Sequence, residues 1–158
     1  MSLAYVALGA NLGDPASTIR AAFGALANLP ASRVARCSSL YRTAPVGLAN
    51  QPDFINAVAL LDTTLAPPEL LAELLDIECR FGRRRREKNG PRSLDLDLLL
   101  YDERRLDLPE LTLPHPRLHL RAFVLQPLAE IAPDLRLPGR GYIAAWLPAV
   151  ANQSIVRL

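Results

Sequence analysis

The most constraining feature of the sequence is a stretch in which leucines alternate with aspartates, Leu94-Asp95-Leu96-Asp97-Leu98, followed by apolar residues up to Tyr101. Successive side chains of a β-strand point to opposite faces, so this alternation predicts a strand with leucines on one face and both aspartates on the other. A strand buried on both faces of a parallel sheet would be apolar throughout. The pattern therefore favours a sheet with one face packed against a core and one face carrying polar groups.

The two aspartates form a candidate metal site. Residues two apart on a strand lie roughly 7 Å apart at the backbone and point the same way, so their carboxylates can converge on one or two hard cations. Arginines lie just before them in the sequence, at residues 83–86 and at Arg92. Carboxylates that hold a cation beside guanidinium groups that hold phosphate oxygens are typical of a metal–polyphosphate site. Two simpler interpretations stay open, a solvated acidic face and a solvated arginine-rich loop.

Length, charge and cysteine usage narrow the class of protein. The chain has 158 residues, of which 50% are hydrophobic, which predicts a single domain over residues 1–158 with a sizeable core. Its net charge of +2 is too small to indicate a nucleic-acid-binding protein by itself. Cys37 and Cys79 are the only cysteines, and we interpret them as buried residues of a protein in the reducing cytoplasm. No leader-like segment and no apolar run of membrane length is found, so we expect a cytoplasmic protein without a membrane partner.

Periodicity and turn residues divide the chain into seven main elements. Their order is strand–helix–strand–strand–helix–strand, followed by a third helix. The strands are predicted at Ala4–Leu8, Val34–Arg42, Phe54–Leu61 and around the aspartate pair, and the helices after Asp14-Pro15, from Pro67 to Gly82, and from Arg121 to Ile131. The core stripe expected for the second helix consists of Leu70, Leu71, Leu74, Leu75 and Ile77.

Three local features have more than one interpretation. Asn56 interrupts an apolar strand, and it is either a solvated amide at a sheet edge or an amide that hydrogen-bonds a planar heterocycle. His115 lies between two prolines, which hold it stiffly in a loop rather than on a core face. The turn Gly9–Pro15 joins a strand to a helix, but it has no GxGxxG or GKS/T motif and therefore favours a tight turn over a phosphate-binding loop.

Six segments, taken in order, resemble the 6-hydroxymethyl-7,8-dihydropterin pyrophosphokinase family of folate biosynthesis. The most specific is Gly90-Pro91-Arg92-Ser93-Leu94-Asp95-Leu96-Asp97. The others are Gly9–Gly13, Tyr41–Gly47, Gln51–Ala57, Leu113–Pro116 and Arg121–Leu125, so the resemblance extends from Leu8 to Pro133.

This resemblance implies a fold and a reaction. The fold is of the α/β (α+β) class, a three-layer α/β/α arrangement around a ferredoxin-like antiparallel sheet. The reaction moves a pyrophosphoryl group from ATP to the hydroxymethyl oxygen of the pterin and releases AMP. Two Mg²⁺ ions bound by Asp95 and Asp97 would bridge the ATP phosphates. The resemblance also implies a monomer that acts on small molecules, with no nucleic acid and no membrane as partner.

Carried over residue by residue, the resemblance assigns roles to three groups. The catalytic and metal-binding group is Arg83, Arg92, Asp95 and Asp97. Nucleotide binding is implied for Arg85, Arg86, Leu98, Thr112, His115 and Arg121. Pterin binding is implied for Thr43, Ala44, Val46, Phe54, Asn56 and Phe123, with the ring stacked between the two phenylalanines.

The sequence departs from the usual family pattern near the arginines. Asn89 stands where an aromatic residue is common, Glu110 stands at a position that is sometimes basic, and the arginine-rich loop is one residue shorter. These departures concern loop closure and nucleotide affinity rather than the reaction. A different metal-dependent phosphotransferase or nuclease would share the acid pair without needing the two phenylalanines and the amide. A ferredoxin-like RNA-binding module would carry adjacent aromatic residues in an RNP pattern, which the sequence lacks.

Overall fold

The computed structural model describes residues 1–45, 50–82 and 93–158. The helices in these ranges are α1 (Pro15–Ala27), α2 (Pro67–Arg80) and α3 (Ala122–Ile131). The strands are β1 (Ser2–Ala10), β2 (Ser32–Cys37), β3 (Tyr41–Thr43), β4 (Phe54–Thr63), β5 (Asp95–Tyr101), β6 (Leu106–Leu108), β7 (Leu111–Leu113), β8 (Arg136–Leu137), β9 (Gly141–Tyr142) and β10 (Val156–Arg157). Short 3₁₀ turns lie at Leu118–Leu120, Ile143–Ala145 and Pro148–Val150.

One antiparallel sheet forms the middle layer. Its strands follow the order β5, β1, β4, β3, β10, and β2 pairs with β4 alongside β3. The strand that follows α1 therefore does not pair with β1, because β4 is inserted between them, as in a ferredoxin-like sheet. Two small hairpins, β6–β7 and β8–β9, lie outside this sheet.

Separate hydrophobic cores cover the two faces of the sheet. On one face, Leu8 of β1 packs with Ile19 of α1 and Leu74 of α2. On the other face, Val58 of β4 packs with Leu125 of α3. Since a sheet that is apolar on both faces must be covered on both, the chain forms three layers, and the predicted α/β/α architecture is confirmed.

Both long helices begin at the residues that the sequence indicated. The Asp14 carboxylate caps α1 by accepting hydrogen bonds from the Ser17 amide at 3.2 Å and the Ser17 hydroxyl at 2.9 Å. Helix α2 starts at Pro67, and Gly82 just after it has φ +77°, a conformation that favours glycine. The predicted core stripe of α2 was wrong at Leu75. This side chain is 44% exposed, because it lies beside the helix face that packs against the sheet.

The predicted second strand over residues 34–42 is two strands instead of one. Ser38 interrupts it, since its hydroxyl accepts a hydrogen bond from the Val58 amide at 2.9 Å while its own amide donates to the Val58 carbonyl at 2.8 Å. The strand is interrupted at this point, and both parts, β2 and β3, pair with β4. The predicted hairpin with the third strand is confirmed for each part.

A bulge interrupts the pairing of β5 with β1. Val6 pairs with Leu98 and Tyr5 with Leu100, so Leu99 is an extra residue in β5. Leu99 and Leu100 both pack on the α3 side, and Tyr101 returns to the opposite core. A bulge of this kind moves the side chains of the following residues to the opposite face of the sheet. Strict alternation along the sequence cannot predict this change.

Two further observations bear on the expectations about cellular location. Cys37 and Cys79 are exposed, so the interpretation of them as buried residues was wrong. They lie on the solvent-facing sides of β2 and α2. Within the described ranges, no helix has the length and apolarity that a membrane span requires.

A carboxylate on α3 fixes β3 to the helix above it. Glu130 accepts hydrogen bonds from the Tyr41 hydroxyl at 2.7 Å, from the Ser39 amide at 3.0 Å and from the Ser39 hydroxyl at 2.9 Å. Arg157 of β10 contacts the same carboxylate at 3.3 Å. Burial alone would raise the pKa of Glu130, but the hydrogen bonds from Tyr41 and Ser39 outweigh it and lower the pKa below its ordinary value of 4.5.

We predict that replacing Glu130 by glutamine removes a pH-dependent part of the stability. A depressed pKa in the folded state stabilises the protein above the unfolded-state pKa, and this contribution is lost as the pH falls through the folded-state pKa. The free energy of unfolding, measured by denaturant titration, should therefore differ most between wild type and Glu130→Gln above about pH 5, by about 1–3 kcal/mol. The difference should shrink below pH 4.5.

Glu103→Gln, at an exposed turn position, is the control and should change the free energy of unfolding by less than about 0.5 kcal/mol. A constant difference between wild type and Glu130→Gln from pH 7 to pH 3 would contradict the prediction.

Candidate active site

The two aspartates lie half-buried on the face of β5 that is opposite to α1 and α2. Their neighbours Leu94, Leu96 and Leu98 all pack into the opposite core, against α1 and α2, so the predicted alternation is confirmed. The apolar side chains anchor the strand, while the carboxylates remain on the other face.

Gly9 of β1 lies between an aspartate and the strand asparagine. It pairs with Asp95 of β5 on one side and with Asn56 of β4 on the other. Since neighbouring strands are about 4.8 Å apart, the backbones of Asp95 and Asn56 are separated by roughly 10 Å, with no side chain between them. A Cβ atom added to Gly9 would lie 3.2 Å from Asn56 Oδ1. The glycine therefore leaves a part of the sheet surface between Asp95 and Asn56 without side chains, which we call the open floor.

Asn56 is buried in the middle of the sheet. It is 6% exposed, and its Nδ2 donates a hydrogen bond to Thr43 Oγ1 at 2.9 Å. The interpretation of Asn56 as a solvated amide at a sheet edge was therefore wrong, because β4 has strands on both sides. The hydrogen bond fixes the orientation of the amide, which leaves Oδ1 pointing toward Gly9.

Two half-buried aromatic rings border the same face. Phe54 pairs with Thr43 at the start of β4, and alternation places it on the same side as Asn56. Phe123 lies in the first turn of α3. The guanidinium carbon of Arg121 is 5.4 Å from the centroid of the Phe123 ring, which is a cation–π distance. Arg121 thereby connects the aromatic part of the site to its charged part.

Arg121 also lies within electrostatic reach of the aspartates. Burial lowers the pKa of the Arg121 guanidinium, and the negative charges of Asp97 and Asp95 act in the opposite direction. An arginine remains positively charged after such a shift. The site therefore presents a fixed cation close to the carboxylate pair.

His115 is held next to β5 in its neutral form. Its amide donates a hydrogen bond to the carbonyl of Leu99, the extra residue of the bulge, at 2.9 Å. Its Nδ1 accepts a hydrogen bond from the Arg117 amide at 3.2 Å, so the remaining proton is on Nε2. Burial and the charges of Arg121 and Arg117 lower the pKa of His115 to about 4. Near neutral pH this side chain therefore offers an uncharged N–H donor.

Two other candidates for nucleotide binding lie in strands, Thr112 in β7 and Leu98 in β5. Thr112 is exposed on β7 and lines a cavity of about 480 Å³ together with Pro114 and Pro116. Leu98 is 4% exposed and belongs to the core under α1 and α2. The side chain of Leu98 is therefore inaccessible to a ligand on the α3 side of the sheet.

Several predicted site residues lie outside the described residues. Ala44 is described and follows β3 directly, on the surface. The residues outside are Val46, Arg83, Arg85, Arg86 and Arg92.

The donors at the aspartate pair fit a hard divalent cation. Mg²⁺ in proteins usually takes one or two carboxylates, with phosphate oxygens and water as the remaining ligands. Asp95 and Asp97 supply two carboxylates on one face. Within the described part of the chain, no cluster of three or more acidic, histidine or cysteine residues could hold a metal alone. The pair thus fits an ion that is completed by a phosphate-bearing substrate.

Three contributions to the site escaped the sequence analysis. Gly9 was interpreted as part of a turn and of a family segment, whereas it lies within β1, and Glu130 was not singled out. Asn11, 1% exposed, donates from Nδ2 to Gln51 Oε1 at 2.9 Å and to the Pro52 carbonyl at 3.0 Å, which ties the end of β1 to the segment before β4. The motifs around Asn11 and Gln51 were visible, but their contact spans 40 residues of sequence.

Sequence comparisons place this chain among known pyrophosphokinases. A relative from Pseudomonas aeruginosa, named 2-amino-4-hydroxy-6-hydroxymethyldihydropteridine pyrophosphokinase, is 51% identical over 154 residues, which cover 98% of this chain and 95% of the relative. A relative of the same name from Haemophilus influenzae is 42% identical over 158 residues, covering 100% of this chain and 99% of the relative.

Solved structures with the same fold belong to a larger protein. The wild-type HPPK-DHPS of Plasmodium falciparum, solved with pteroate, superimposes with a TM-score of 0.75 at 13% sequence identity. The match covers 93% of this chain and 42% of the larger chain, so this chain spans less than half of that protein's length. At this identity the likeness concerns the fold, which agrees with the three-layer architecture.

The family model for 7,8-dihydro-6-hydroxymethylpterin-pyrophosphokinase (HPPK) matches residues 5–133. This range contains the aspartate pair, Gly9, Asn56, both phenylalanines, His115 and Arg121. With the family match and full-length relatives above 40% identity, the chain belongs to the 7,8-dihydro-6-hydroxymethylpterin-pyrophosphokinase family.

Proposed function

We propose that this chain transfers the pyrophosphoryl group of ATP to the hydroxymethyl oxygen of 6-hydroxymethyl-7,8-dihydropterin, in folate biosynthesis. The hydroxymethyl oxygen bonds to the β-phosphorus of ATP, and the bond from that phosphorus to the α–β bridging oxygen breaks. The products are AMP and the dihydropterin diphosphate, and the hydroxyl proton is released. ATP is the co-substrate.

The observation that carries this proposal is the row Asp95–Gly9–Asn56 across three neighbouring strands. This row supports a heterocyclic substrate whose ring is recognised by the amide of Asn56 and whose reacting group lies beside the carboxylate of Asp95. The separation of roughly 10 Å between these backbones suits a bicyclic ring with a one-carbon arm. A nuclease would have no use for a fixed, buried amide at that distance from its metal ligands.

On the pterin side, we assign recognition to an amide and two aromatic rings. Asn56, oriented by Thr43, would hydrogen-bond the polar edge of the ring, since a neutral heterocycle is bound by a few directed polar groups. Phe54 and Phe123 would stack on its faces. Main-chain groups of Thr43, Ala44 and Val46 would complete the pocket.

On the nucleotide side, we assign binding to neutral and cationic donors. His115 would donate from Nε2, and Arg121 would hold a phosphate oxygen while it stays stacked on Phe123. Thr112 and the main chain of Leu98 would lie near the adenine. Placing the phosphates in line with the hydroxymethyl group is the main task in such a transfer, since the reaction requires positioning more than a strong base.

Asp95 and Asp97 are the residues that would hold Mg²⁺, which we propose as two ions. When bound, Mg²⁺ neutralises phosphate charge and so favours attack by a weakly acidic alcohol. The aspartates would also orient the attacking hydroxyl. From the sequence, we further propose that Arg83 and Arg92 stabilise the transferred phosphates and that Arg85 and Arg86 assist in binding them.

The remaining expectations stay proposals. We propose a monomer with a single pyrophosphokinase domain over residues 1–158, acting in the cytoplasm without nucleic acid or membrane as a partner. The net charge of +2 is too small to indicate nucleic-acid binding by itself.

The first prediction from the proposed function concerns the products. Incubation with ATP, Mg²⁺ and 6-hydroxymethyl-7,8-dihydropterin should yield AMP and the dihydropterin diphosphate in equal amounts, as measured by ion-exchange chromatography. Release of ADP in place of AMP would indicate a different phosphotransferase and would overturn the proposal.

The second prediction concerns the metal-binding aspartates. Asp97→Asn keeps the shape of the side chain but removes its charge, so AMP release should fall by roughly 10²–10³-fold. Calorimetry should show weaker binding of a non-hydrolysable ATP analogue in Mg²⁺ and unchanged binding in EDTA. Asp76→Asn, at an exposed position on α2, is the matched control. Normal turnover in Asp97→Asn would exclude the metal-binding role.

The third prediction concerns the open floor at Gly9. In Gly9→Ala the added Cβ would lie 3.2 Å from Asn56 Oδ1 and would occupy space beneath the pterin. The KM for the pterin should rise roughly tenfold, equivalent to about 1.4 kcal/mol. Binding of the ATP analogue should change less than twofold.

Gly24→Ala is the control for this test, because a Cβ at that position in α1 meets nothing within 4 Å. A selective loss of nucleotide binding in Gly9→Ala would place the pterin elsewhere.

A further inference from the structure

Glu78 of α2 is the only buried acidic side chain in the part of the chain that the structure describes. It is 3% exposed and lies on the helix face that packs against the sheet. A carboxylate is strongly hydrated, so burying it is unfavourable unless hydrogen bonds compensate for the lost water. Such a residue calls for an explanation, and none of the roles described above uses it.

One contact of Glu78 is with the backbone of β5. The Leu96 amide donates a hydrogen bond to Glu78 Oε2 at 2.7 Å, a length typical of charge-assisted hydrogen bonds. Leu96 is the residue between Asp95 and Asp97. The buried carboxylate therefore holds the peptide that links the two candidate metal ligands.

The position of β5 at the edge of the sheet makes this contact necessary. In antiparallel pairs, residues alternate between exchanging both hydrogen bonds with the partner strand and pointing their backbone groups away from it. The Leu96 amide points away from β1 and would have no backbone partner within the sheet. On the other edge of the strand, Asp95 and Asp97 are in register with Gly9 and Ala7 of β1.

We propose that Glu78 is a positioning residue that sets the spacing of the Asp95 and Asp97 carboxylates for the divalent cation. This inference rests on the proposed function. Glu78 lies on the α1–α2 side of the sheet, so it acts through the Leu96 peptide and not by contact with the substrate. A backbone held from both edges keeps two side chains at fixed directions, and metal sites are sensitive to small displacements of their ligands.

Two substitutions distinguish the effect of losing the hydrogen bond from the effect of changing side-chain packing. Glu78→Gln keeps an acceptor oxygen for the Leu96 amide. Glu78→Met keeps the length and the helix propensity of the side chain but offers no comparable acceptor. Leu26→Ala is the matched control for loss of stability, because Leu26 is fully buried in the same core but comes from α1 and has no polar side-chain atom to hydrogen-bond the Leu96 amide.

The experiment measures metal binding directly as well as activity. Binding of Mn²⁺ in the presence of a non-hydrolysable ATP analogue is followed by electron paramagnetic resonance, and exchange of the Leu96 amide proton by NMR. In Glu78→Met, the metal Kd should rise roughly tenfold and the Leu96 amide should exchange faster, while the KM for the pterin stays within twofold. Glu78→Gln should restore both readouts to within twofold of wild type.

The proposal would be overturned if Leu26→Ala weakened metal binding as much as Glu78→Met, or if Glu78→Gln failed to restore it. Should Glu78→Met not fold, Glu78→Asp gives the same comparison, since it withdraws the acceptor by one methylene and keeps the charge. Failure of the wild type to release AMP would refute the proposed function instead. Wild-type AMP release with unchanged metal binding in Glu78→Met would refute this inference alone.

Discussion

The backbone register between β5, β1 and β4 is the constraint on which the rest of the site depends. It places Asp95, Gly9 and Asn56 in one row, so that an acidic group, an open floor and an amide follow one another across the sheet. A shift of one residue in either pairing would turn the aspartates or the asparagine into the opposite core, because side chains alternate between the faces. The apolar partners Leu94, Leu96 and Leu98 oppose such a shift, since it would expose all three.

The two faces of the sheet serve different purposes. The face under α1 and α2 is packed with aliphatic side chains from four strands and gives the sheet its rigidity. The face under α3 is apolar only at one end, where Val58 and Leu99 meet the helix, and carries the polar row at the other. Glu130 joins α3 to β3 by hydrogen bonds. The helix that supplies Phe123 and the strand that supplies Thr43 are therefore held in a fixed position relative to each other.

Electrostatics completes the arrangement around the bulge in β5. The extra residue, Leu99, offers its carbonyl to the amide of His115 and so brings the loop that carries this histidine beside the strand. Burial and neighbouring arginines keep the histidine neutral, while Arg121 stays positively charged between the aspartates and Phe123. A neutral donor and a fixed cation beside two carboxylates match the metal-bound polyphosphate that we propose as the ligand, without excess positive charge.

Local sequence determined the elements and the chemical character of this protein. Alternation fixed the facing of Asp95 and Asp97, the Asp14-Pro15 cap fixed the start of α1, and the ordered motifs indicated the family. The tertiary structure alone decided what depends on distant contacts: the break at Ser38, the bulge at Leu99 and the role of Gly9 as a gap. The same holds for the contact between Glu78 and Leu96. The physical reason is that side-chain periodicity is a property of a single segment, whereas strand register and the partners of buried polar groups are set between segments far apart in the chain.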